Sequence, residues 1–462
     1  MRSPAGRAAL WLVFTLVHVW LTYLGVVVLP GEAFHDVDLY RYWMYLGLHE
    51  GSWPVLDEPW VYPAGAVLPM LLPALVTTFS TPVFALAWCA MVTALDAVAV
   101  AALDRPVPAR GSRTEPAGAP RPEDGHAPER AGTTGAWWWL AFLALLGPVA
   151  VGRLDAVVAP LMIIALATAR RTDHGIRLAA ALLTFGAWVK VAPGALLLPL
   201  VAAARRPVRD VVLPAAVVCV VVVGTVAAGG GLARVLGFLT TQQGRGLQVE
   251  SVAATPWVLA VLVRDDVVIR LNEALITYEV AGPGTAAAAA VLDVVLPVLV
   301  AAIAGVLLVA RRRGRAADAL LPGALTLLLV LIVGNKVGSP QFLTWIAAPV
   351  AVLLTGPLRG TPSVTRPAGT GLPALGAPGA VPRWVLGAGG LALLSAGLTQ
   401  AVFPWGYMDL LTTGAGGGPV AFVLAARNVC LLALLACASV GLVQGVRRVD
   451  APQGQPIAGT TC

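Results

Sequence analysis

The sequence predicts an all-α polytopic membrane protein with about twelve transmembrane passes and a large first loop on the outer side. Hydrophobic residues make up 58% of the 462 positions, and charged residues make up only 12%. The mean hydropathy of the chain is +0.82. A soluble protein exposes far more polar and charged surface, so these values exclude a large soluble domain.

The first apolar run extends from Ala8 to Pro30 and follows Arg2 and Arg7. It is longer than the roughly 7–15 apolar residues of a signal peptide, and no A-x-A cleavage motif follows it. We therefore expect a retained first transmembrane helix rather than a cleaved leader.

Eleven further apolar runs follow the first. They are Pro82–Leu103, Ala136–Val151, Ala156–Ala169, Leu178–Trp188, Val191–Ala204, Val211–Ala228, Thr285–Ala310, Ala319–Val333, Phe342–Thr355, Trp384–Phe403 and Val420–Val446. Leu178–Trp188 and Val191–Ala204 are too short to cross a bilayer alone. We expect these two runs to pack against protein or to form a broken hairpin with Lys190 at its tip.

Arginine clusters indicate which side of the membrane is cytoplasmic, because short loops rich in Lys and Arg stay on that side. The clusters are Arg170-Arg171, Arg205-Arg206, Arg311-Arg312-Arg313 and Arg447-Arg448. The Pro/Gly-rich segments 104–134 and 356–383 are typical of flexible linkers on the same side. This predicts a plasma-membrane protein with a main module over 1–355, a C-terminal transmembrane pair over 384–446, a tail over 447–462 and both termini cytoplasmic.

The same topology places segments 31–81, 229–283 and 404–419 on the outer side. Within the second, Val267-Val268-Ile269 and the run from Ile276 to Val280 have the composition of strands. The apolar stretch from Gly65 to Thr81 contains Pro69 and Pro73, so we expect a helix lying at the outer interface rather than a further pass.

Two carboxylates, Asp36 and Asp38, open the first outer loop beside interfacial Tyr and Trp residues. On one interpretation, one is a general base and the other is its hydrogen-bonding or charge partner. On the other interpretation, they form an ordinary solvated acidic turn after a helix. The position of the two carboxylates in the sequence does not decide between these interpretations.

Lysine is rare in this chain, because 29 of the 31 basic residues are arginine and only Lys190 and Lys336 are lysine. Both lie in apolar stretches near the predicted outer ends of passes. Ionisable groups at membrane depth usually mark a site or a pathway, although a lysine at a helix end can also extend its ammonium to the interface. Arginine does that elsewhere in the chain, so the two lysines favour a functional site.

Arg245 lies between Gly244 and Gly246, which allow the backbone to approach a ligand closely. Its planar guanidinium suits phosphate. Arg153 and Asp155, at another outer turn, form either a structural ion pair or part of the same pocket. Together, Lys190, Arg245 and Lys336 predict an outward-facing cationic site for a lipid phosphate.

Seven short motifs in a fixed order resemble the GT-C superfamily of integral-membrane glycosyltransferases, and most closely glycosyltransferase family 87. They are Asp36-Val37-Asp38-Leu39-Tyr40, Gly51-Ser52-Trp53-Pro54, Val61-Tyr62-Pro63, Gly152-Arg153-Leu154-Asp155-Ala156, Val189-Lys190-Val191-Ala192-Pro193, the run Arg245 to Ser251, and Lys336-Val337-Gly338-Ser339-Pro340-Gln341. That family includes polyprenyl-phosphomannose-dependent mannosyltransferases of actinobacteria. The chain departs from its pattern at Val55, where an aromatic is common, and at Ala64, where a second proline is usual.

The resemblance implies a GT-C fold and transfer of a hexose, mannose by analogy, from a polyprenyl-phosphate donor to a glycolipid or glycan of the cell envelope. Matching to Tyr40 puts Asp36 in the catalytic position, with Asp38 as its neighbour and inversion at the sugar. Lys190, Arg245 and Lys336 are then the donor-phosphate residues. The implied substrate pocket consists of Tyr40, Tyr62, Arg153, Asp155, Gln248, Glu250 and Gln341.

Neither a Gly-rich nucleotide loop nor a His/Cys metal cluster is evident in the sequence, so we expect no cofactor, no metal and no nucleic-acid partner. A lipid-linked donor agrees with this expectation, because polyprenyl phosphate is already a good leaving group. The partners are therefore the donor lipid, the acceptor and the bilayer.

A multi-pass transporter or lipid-linked-sugar flippase is the main alternative, because about twelve passes also suit secondary carriers. Asp96, Asp293 and Arg427 are intramembrane and suit an ion path, or are buried structural partners. The two halves show no convincing internal repeat, and carriers seldom have long acidic outer loops. A non-catalytic membrane scaffold is a third possibility, disfavoured by the two lysines.

Overall fold

The structure is a computed structural model that describes residues 4–58, 60–105, 133–240, 245–273, 276–356, 381–412 and 417–447. Most of the two predicted cytoplasmic linkers and of the C-terminal tail lies outside these residues. The described residues are largely helical and contain one two-stranded sheet.

The α-helices among the described residues, numbered in chain order, are α1 (Pro4–Tyr23), α2 (His35–Tyr45), α3 (Val67–Ala74), α4 (Thr81–Asp104), α5 (Thr134–Leu146), α6 (Asp155–Ala169), α7 (Asp173–Val189), α8 (Ala192–Ala195), α9 (Leu197–Ala203), α10 (Leu213–Ala228), α11 (Gly237–Thr240), α12 (Thr255–Ala260), α13 (Thr285–Arg312), α14 (Ala316–Val333), α15 (Leu343–Leu353), α16 (Arg383–Gln400), α17 (Tyr407–Leu411) and α18 (Gly417–Arg447). The strands are β1 (Val268–Asn272) and β2 (Thr277–Ala281). Short π-helical turns extend α1, α2 and α16 and precede α10.

Among the described residues, seven helical segments are long and apolar enough to cross a membrane: Pro4–Val28, Thr81–Asp104, Val208–Ala228, Thr285–Arg312, Ala316–Val333, Arg383–Trp405 and Gly417–Arg447. Six further apolar helical segments are shorter. The predicted class, a helical membrane protein, is thereby confirmed. The count of twelve passes stays a prediction, because the shorter helices do not reach the ~20 residues that a span needs.

The interior of the bundle is formed by α6 and α15, which are apolar on all sides and almost wholly buried. A helix of that composition has no polar face to turn outward, so it packs centrally. α6 contacts α4, α7 and α15, and α18 contacts α14 and α16. By contrast, α10 and α13 expose apolar side chains along most of their length, which makes them the surfaces suited to contact with lipid.

Arginine side chains gather at one end of the bundle, which we call the arginine end. Arg170 donates to the Val352 carbonyl at the end of α15 (2.9 Å), and Arg171 donates to the Ala102 carbonyl at the end of α4 (2.6 Å). Arg311 donates to three carbonyls at the end of α9. These arginines cap carbonyls that lack helical partners.

The opposite end, which we call the loop end, contains α2, α3 and the β1–β2 hairpin. The strands pair antiparallel, with Val268 opposite Ala281 and Asn272 opposite Thr277. This confirms the strand composition seen in the sequence. The first long loop (31–81) and the second long loop (229–283) contact each other, because Arg234 donates to the Leu56 carbonyl at 2.7 Å.

Between the 3-10 turn at Ala64–Ala66 and the start of α4 at Thr81, the stretch contains one helix, α3. At ~1.5 Å per residue, the eight residues of α3 are far too short to cross a bilayer. One side of the stretch exposes apolar side chains, among them Leu72, Leu75 and Phe79. This amphipathic arrangement is what an interfacial position requires.

Candidate functional site

Asp36 and Asp38 lie in the first turn of α2 rather than in an irregular acidic turn. Residues two apart on a helix point roughly 200° apart, so the two carboxylates meet different neighbours. Asp36 Oδ2 lies 3.3 Å from Arg153 Nε. Asp38 Oδ1 accepts hydrogen bonds from the Thr81 hydroxyl (2.6 Å) and from Arg41 Nε (2.8 Å).

These contacts connect Asp38 to the start of α4. Burial raises the pKa of Asp38, but the hydrogen bonds from Thr81 and Arg41 lower it by more, so its pKa lies below the ordinary value. Arg41 also donates to the Thr78 carbonyl at 2.6 Å. Asp38 therefore holds α2 against the following loop.

Two tyrosines, the buried Tyr40 and the half-buried Tyr62, lie next to Asp36. The Tyr40 hydroxyl accepts a hydrogen bond from the Leu154 backbone N–H (3.3 Å), and the Tyr62 ring meets the Tyr40 ring edge-on with centroids 6.3 Å apart. Burial raises the pKa of both hydroxyls, so both stay neutral. Because α2 is fastened to the turn before α6, Asp36 lies opposite Arg153.

Lys190 interrupts the helical chain between α7 and α8, where its backbone is extended (φ −151°, ψ 131°). Its ammonium lies 3.5 Å from Asp155 Oδ2 and 5.0 Å from the centroid of the Tyr62 ring, a cation–π arrangement. Trp345 Nε1 donates to Asp155 Oδ1 at 2.6 Å. Asp36 lies close enough to interact electrostatically with both Lys190 and Tyr62.

Arg153 and Asp155 take different partners within one cluster of charged and aromatic side chains. Arg153 contacts Asp36, donates to the Ala33 carbonyl (3.1 Å) and lies 5.9 Å from the Phe403 ring centroid. Asp155 is fully buried and serves as the counter-ion of Lys190. Arg153 and Asp155 thus contact Asp36 and Lys190, respectively, and the substrate pocket stays a prediction.

Arg245 approaches this cluster from the second long loop. Burial lowers the pKa of its guanidinium, while Tyr62 and Glu279 oppose that shift, which places both groups near it. Glu279 on β2 is 4% exposed and accepts hydrogen bonds from the Gly246 backbone N–H (2.9 Å) and from Asn272 Nδ2 (3.1 Å). Gly246 is needed here, because a Cβ would collide with the Glu279 carboxylate.

Gln248 connects the second long loop to residues 336–338, which we call the Lys336 segment. Its backbone N–H donates to the Lys336 carbonyl (2.9 Å), and its side-chain oxygen accepts from the Gly338 N–H (3.1 Å). Gln341 accepts a hydrogen bond from the Ser339 hydroxyl at 2.7 Å. Gln248 and Gln341 therefore shape the loops that meet at the site.

The Lys336 ammonium pairs with a carboxylate of α13. It lies 2.9 Å from Asp293 Oδ2 on α13, whose side chain is 59% exposed. The structure thus brings Lys190 and Arg245 to Tyr62 but directs Lys336 toward an apolar, outward-facing helix.

Glu250 is buried near two arginines. Its Oε2 lies 3.9 Å from Arg427 Nη1 on α18. Burial raises the pKa of Glu250 to about 7, although Arg427 and Arg153 oppose the shift. The predicted pocket residue therefore belongs to a charged series that extends from Asp36 through Arg153 to Arg427.

Sequence reasoning missed Glu279 and Trp345, which contact predicted site residues. Glu279 lies in a predicted strand, and its acidic side chain among Tyr278 and Val280 was the available signal. Trp345 carried no local signal, because its partner Asp155 is 190 positions away.

The arrangement places a carboxylate, Asp36, beside a cationic region made by Arg153, Lys190 and Arg245. Such a site can bind an anionic group and accept a proton close to it. Within the described ranges, no group of three or more His, Cys, Asp or Glu residues is placed to hold a metal ion.

Comparison of the chain with protein-family models, curated proteins and solved structures found no match.

Proposed function

We propose that the protein is a membrane glycosyltransferase that moves a hexose from a polyprenyl-phosphate sugar to a glycolipid or glycan on the outer face of the plasma membrane. The observation that carries the proposal is the meeting of Asp36, Lys190 and Arg245 around Tyr62 at the loop end. The Asp36 carboxylate can accept a proton, and the Lys190 and Arg245 cations can stabilise an anion.

In the proposed reaction, an acceptor hydroxyl attacks the anomeric carbon while the bond from that carbon to the phosphate oxygen breaks. The hydroxyl proton passes to Asp36, and the bonding electron pair leaves with polyprenyl phosphate. Direct displacement of this kind inverts the configuration at the sugar. Lys190 and Arg245 stabilise the negative charge that grows on the leaving oxygen.

The contacts of the two carboxylates support Asp36 as the base. The Asp36 side chain is 26% exposed and that of Asp38 is 45% exposed, so an acceptor can reach either carboxylate and their hydrogen bonds distinguish them. Asp38 has two donors on one oxygen and a lowered pKa, so it accepts a proton less readily. Asp155 offsets the charge of Lys190, but an ammonium has three donors and keeps the capacity to bind phosphate.

The test is a turnover assay on the purified protein in lipid nanodiscs, with a radiolabelled polyprenyl-phosphate hexose and a cell-envelope lipid extract as acceptor. We expect release of polyprenyl phosphate and labelled product of inverted configuration. Lys190→Gln should raise the donor KM by about tenfold to a hundredfold, the value of a charged hydrogen bond.

A transporter behaves differently in the same system. In sealed proteoliposomes, a flippase moves the intact lipid-linked sugar across the bilayer and leaves the sugar–phosphate bond unbroken. Transbilayer movement without polyprenyl phosphate release contradicts the proposed function and supports the transporter.

A further inference from the structure

The last membrane helix described, α18, carries two adjacent buried polar residues in a largely apolar sequence. Arg427 is 2% exposed and Asn428 is 1% exposed. Arg427 precedes Arg447, at the arginine end, by twenty residues. At ~1.5 Å per residue, this separation is about 30 Å, the thickness of the hydrocarbon core. Arg427 therefore lies at the loop-end boundary of the membrane region, where a buried cation requires partners.

Those partners lie in the turn from Gln248 to Ser251 and just after it. Arg427 Nη2 donates to the Glu250 backbone carbonyl at 2.6 Å. Asn428 Nδ2 donates to the Ser251 carbonyl at 3.4 Å and to the Thr255 hydroxyl at 2.8 Å. Because two of the acceptors are backbone carbonyls, α18 fixes the path of the chain itself.

The same turn supports the Lys336 segment. Besides the two hydrogen bonds of Gln248, Gly338 lies so close to the Glu250–Ser251 peptide that a Cβ would collide with it. Arg245 precedes Gln248 by only three residues. A displacement of the turn would therefore move Arg245 and the Lys336 segment together.

We infer that Arg427 and Asn428 are positioning residues, which hold the turn from Gln248 to Ser251 on α18 and so place Arg245, a cation of the proposed donor site, together with the Lys336 segment. The inference rests on the proposed function for its kinetic consequence, but its structural part does not. Arg427 acts through the Glu250 carbonyl and the turn rather than on the reacting atoms. Its loss should therefore weaken donor binding more than the chemical step.

The structural part is tested by thiol labelling of Val249→Cys in a background without other cysteines. Val249 lies in the turn and is 2% exposed. A cysteine at this position should therefore be labelled slowly while the turn keeps its contacts with α18. Arg427→Met and, separately, Asn428→Ala should each increase the labelling rate, by about tenfold for Arg427→Met, and Arg427→Lys should give an intermediate rate. Arg447→Met, on the same helix at the arginine end, is the matched control and should leave the rate unchanged.

The kinetic part is tested on the same Arg427 and Asn428 variants with the native residue at Val249. Arg427→Met should raise the donor KM about tenfold while kcat changes by less than about threefold. Unchanged labelling in both Arg427→Met and Asn428→Ala, in protein that melts cooperatively, overturns the inference. Faster labelling with an unchanged donor KM overturns the positioning role. Faster labelling in a protein whose wild type transfers no sugar supports the anchor and refutes only the proposed function.

Discussion

At the residue scale, the placement of the two first-loop carboxylates gives them different tasks. Asp36 contacts Arg153, and Asp38 joins α2 to the Thr81 hydroxyl at the start of α4. The carboxylates are only two positions apart, but the helical rotation of about 100° per residue separates them. Their roles therefore follow from α2 being a helix.

The first prediction compares Asp36→Asn with Asp38→Asn. Asparagine keeps the size but does not accept the proton, so Asp36→Asn should lower turnover by about 10²–10⁴-fold with donor binding preserved. Asp38→Asn should reduce turnover less and lower the melting temperature. Turnover rates and melting temperatures of both purified variants test which carboxylate is the base. A severe loss in Asp38→Asn beside an active Asp36→Asn would reassign the base.

A second residue-scale prediction concerns the Lys336–Asp293 pair. If Lys336 binds donor phosphate, Asp293 competes with that phosphate for the ammonium. Asp293→Asn should then lower the donor KM by up to about fivefold, the equivalent of the roughly 1 kcal/mol that an exposed ion pair contributes. Lys336→Gln should raise the donor KM.

Donor binding measured for both variants separates this role from a structural one. If the pair merely joins α13 to the loop after α14, both substitutions should lower stability and neither should tighten donor binding. Equal weakening by the two variants would remove Lys336 from the donor site.

At the element scale, loops supply the chemistry and helices set their positions. The break between α7 and α8 presents Lys190, and the β1–β2 hairpin presents Glu279 beside the Gly246 backbone. The turn from Gln248 to Ser251 is held by α18 and contains the buried Glu250.

The third prediction follows from the pKa of Glu250, which burial raises from 4.5 to about 7. The folded state then binds this proton more tightly than the unfolded state. Stability from Glu250 is therefore fully present below pH 4.5 and is lost as the pH rises through about 7, by on the order of 3 kcal/mol.

Melting temperatures of wild type and Glu250→Gln between pH 5 and pH 8 check this dependence. Glutamine does not ionise, so any advantage of the wild type at pH 5 should shrink or reverse by pH 8. A difference in melting temperature that stays constant over this range would contradict a raised pKa.

At the scale of the whole molecule, polar features divide between the two ends of the bundle. Arginines at the arginine end cap helix carbonyls, and the site with its two long loops occupies the loop end. The proposed function requires the loop end to face outward, as the arginine distribution predicts.

The fourth prediction tests this orientation in intact cells with an impermeant thiol reagent. Val263→Cys at the loop end, where Val263 is 84% exposed, should be labelled without permeabilisation in a cysteine-free background. The matched variant Arg313→Cys, exposed at the arginine end, should be labelled only after permeabilisation. The opposite pattern would place the site on the cytoplasmic side and refute the proposed use of an outer donor.

By itself, the sequence determined the helical membrane class, the two strands and the collection of arginines at the helix ends. Each follows from local composition, because a long apolar run must satisfy its backbone hydrogen bonds internally and so becomes helical. Only the tertiary structure decided the ion partners: Asp36 with Arg153, Lys190 with Asp155, and Lys336 with Asp293. Such pairs join residues far apart in the chain, and helix packing, which no local pattern encodes, determines which charges meet.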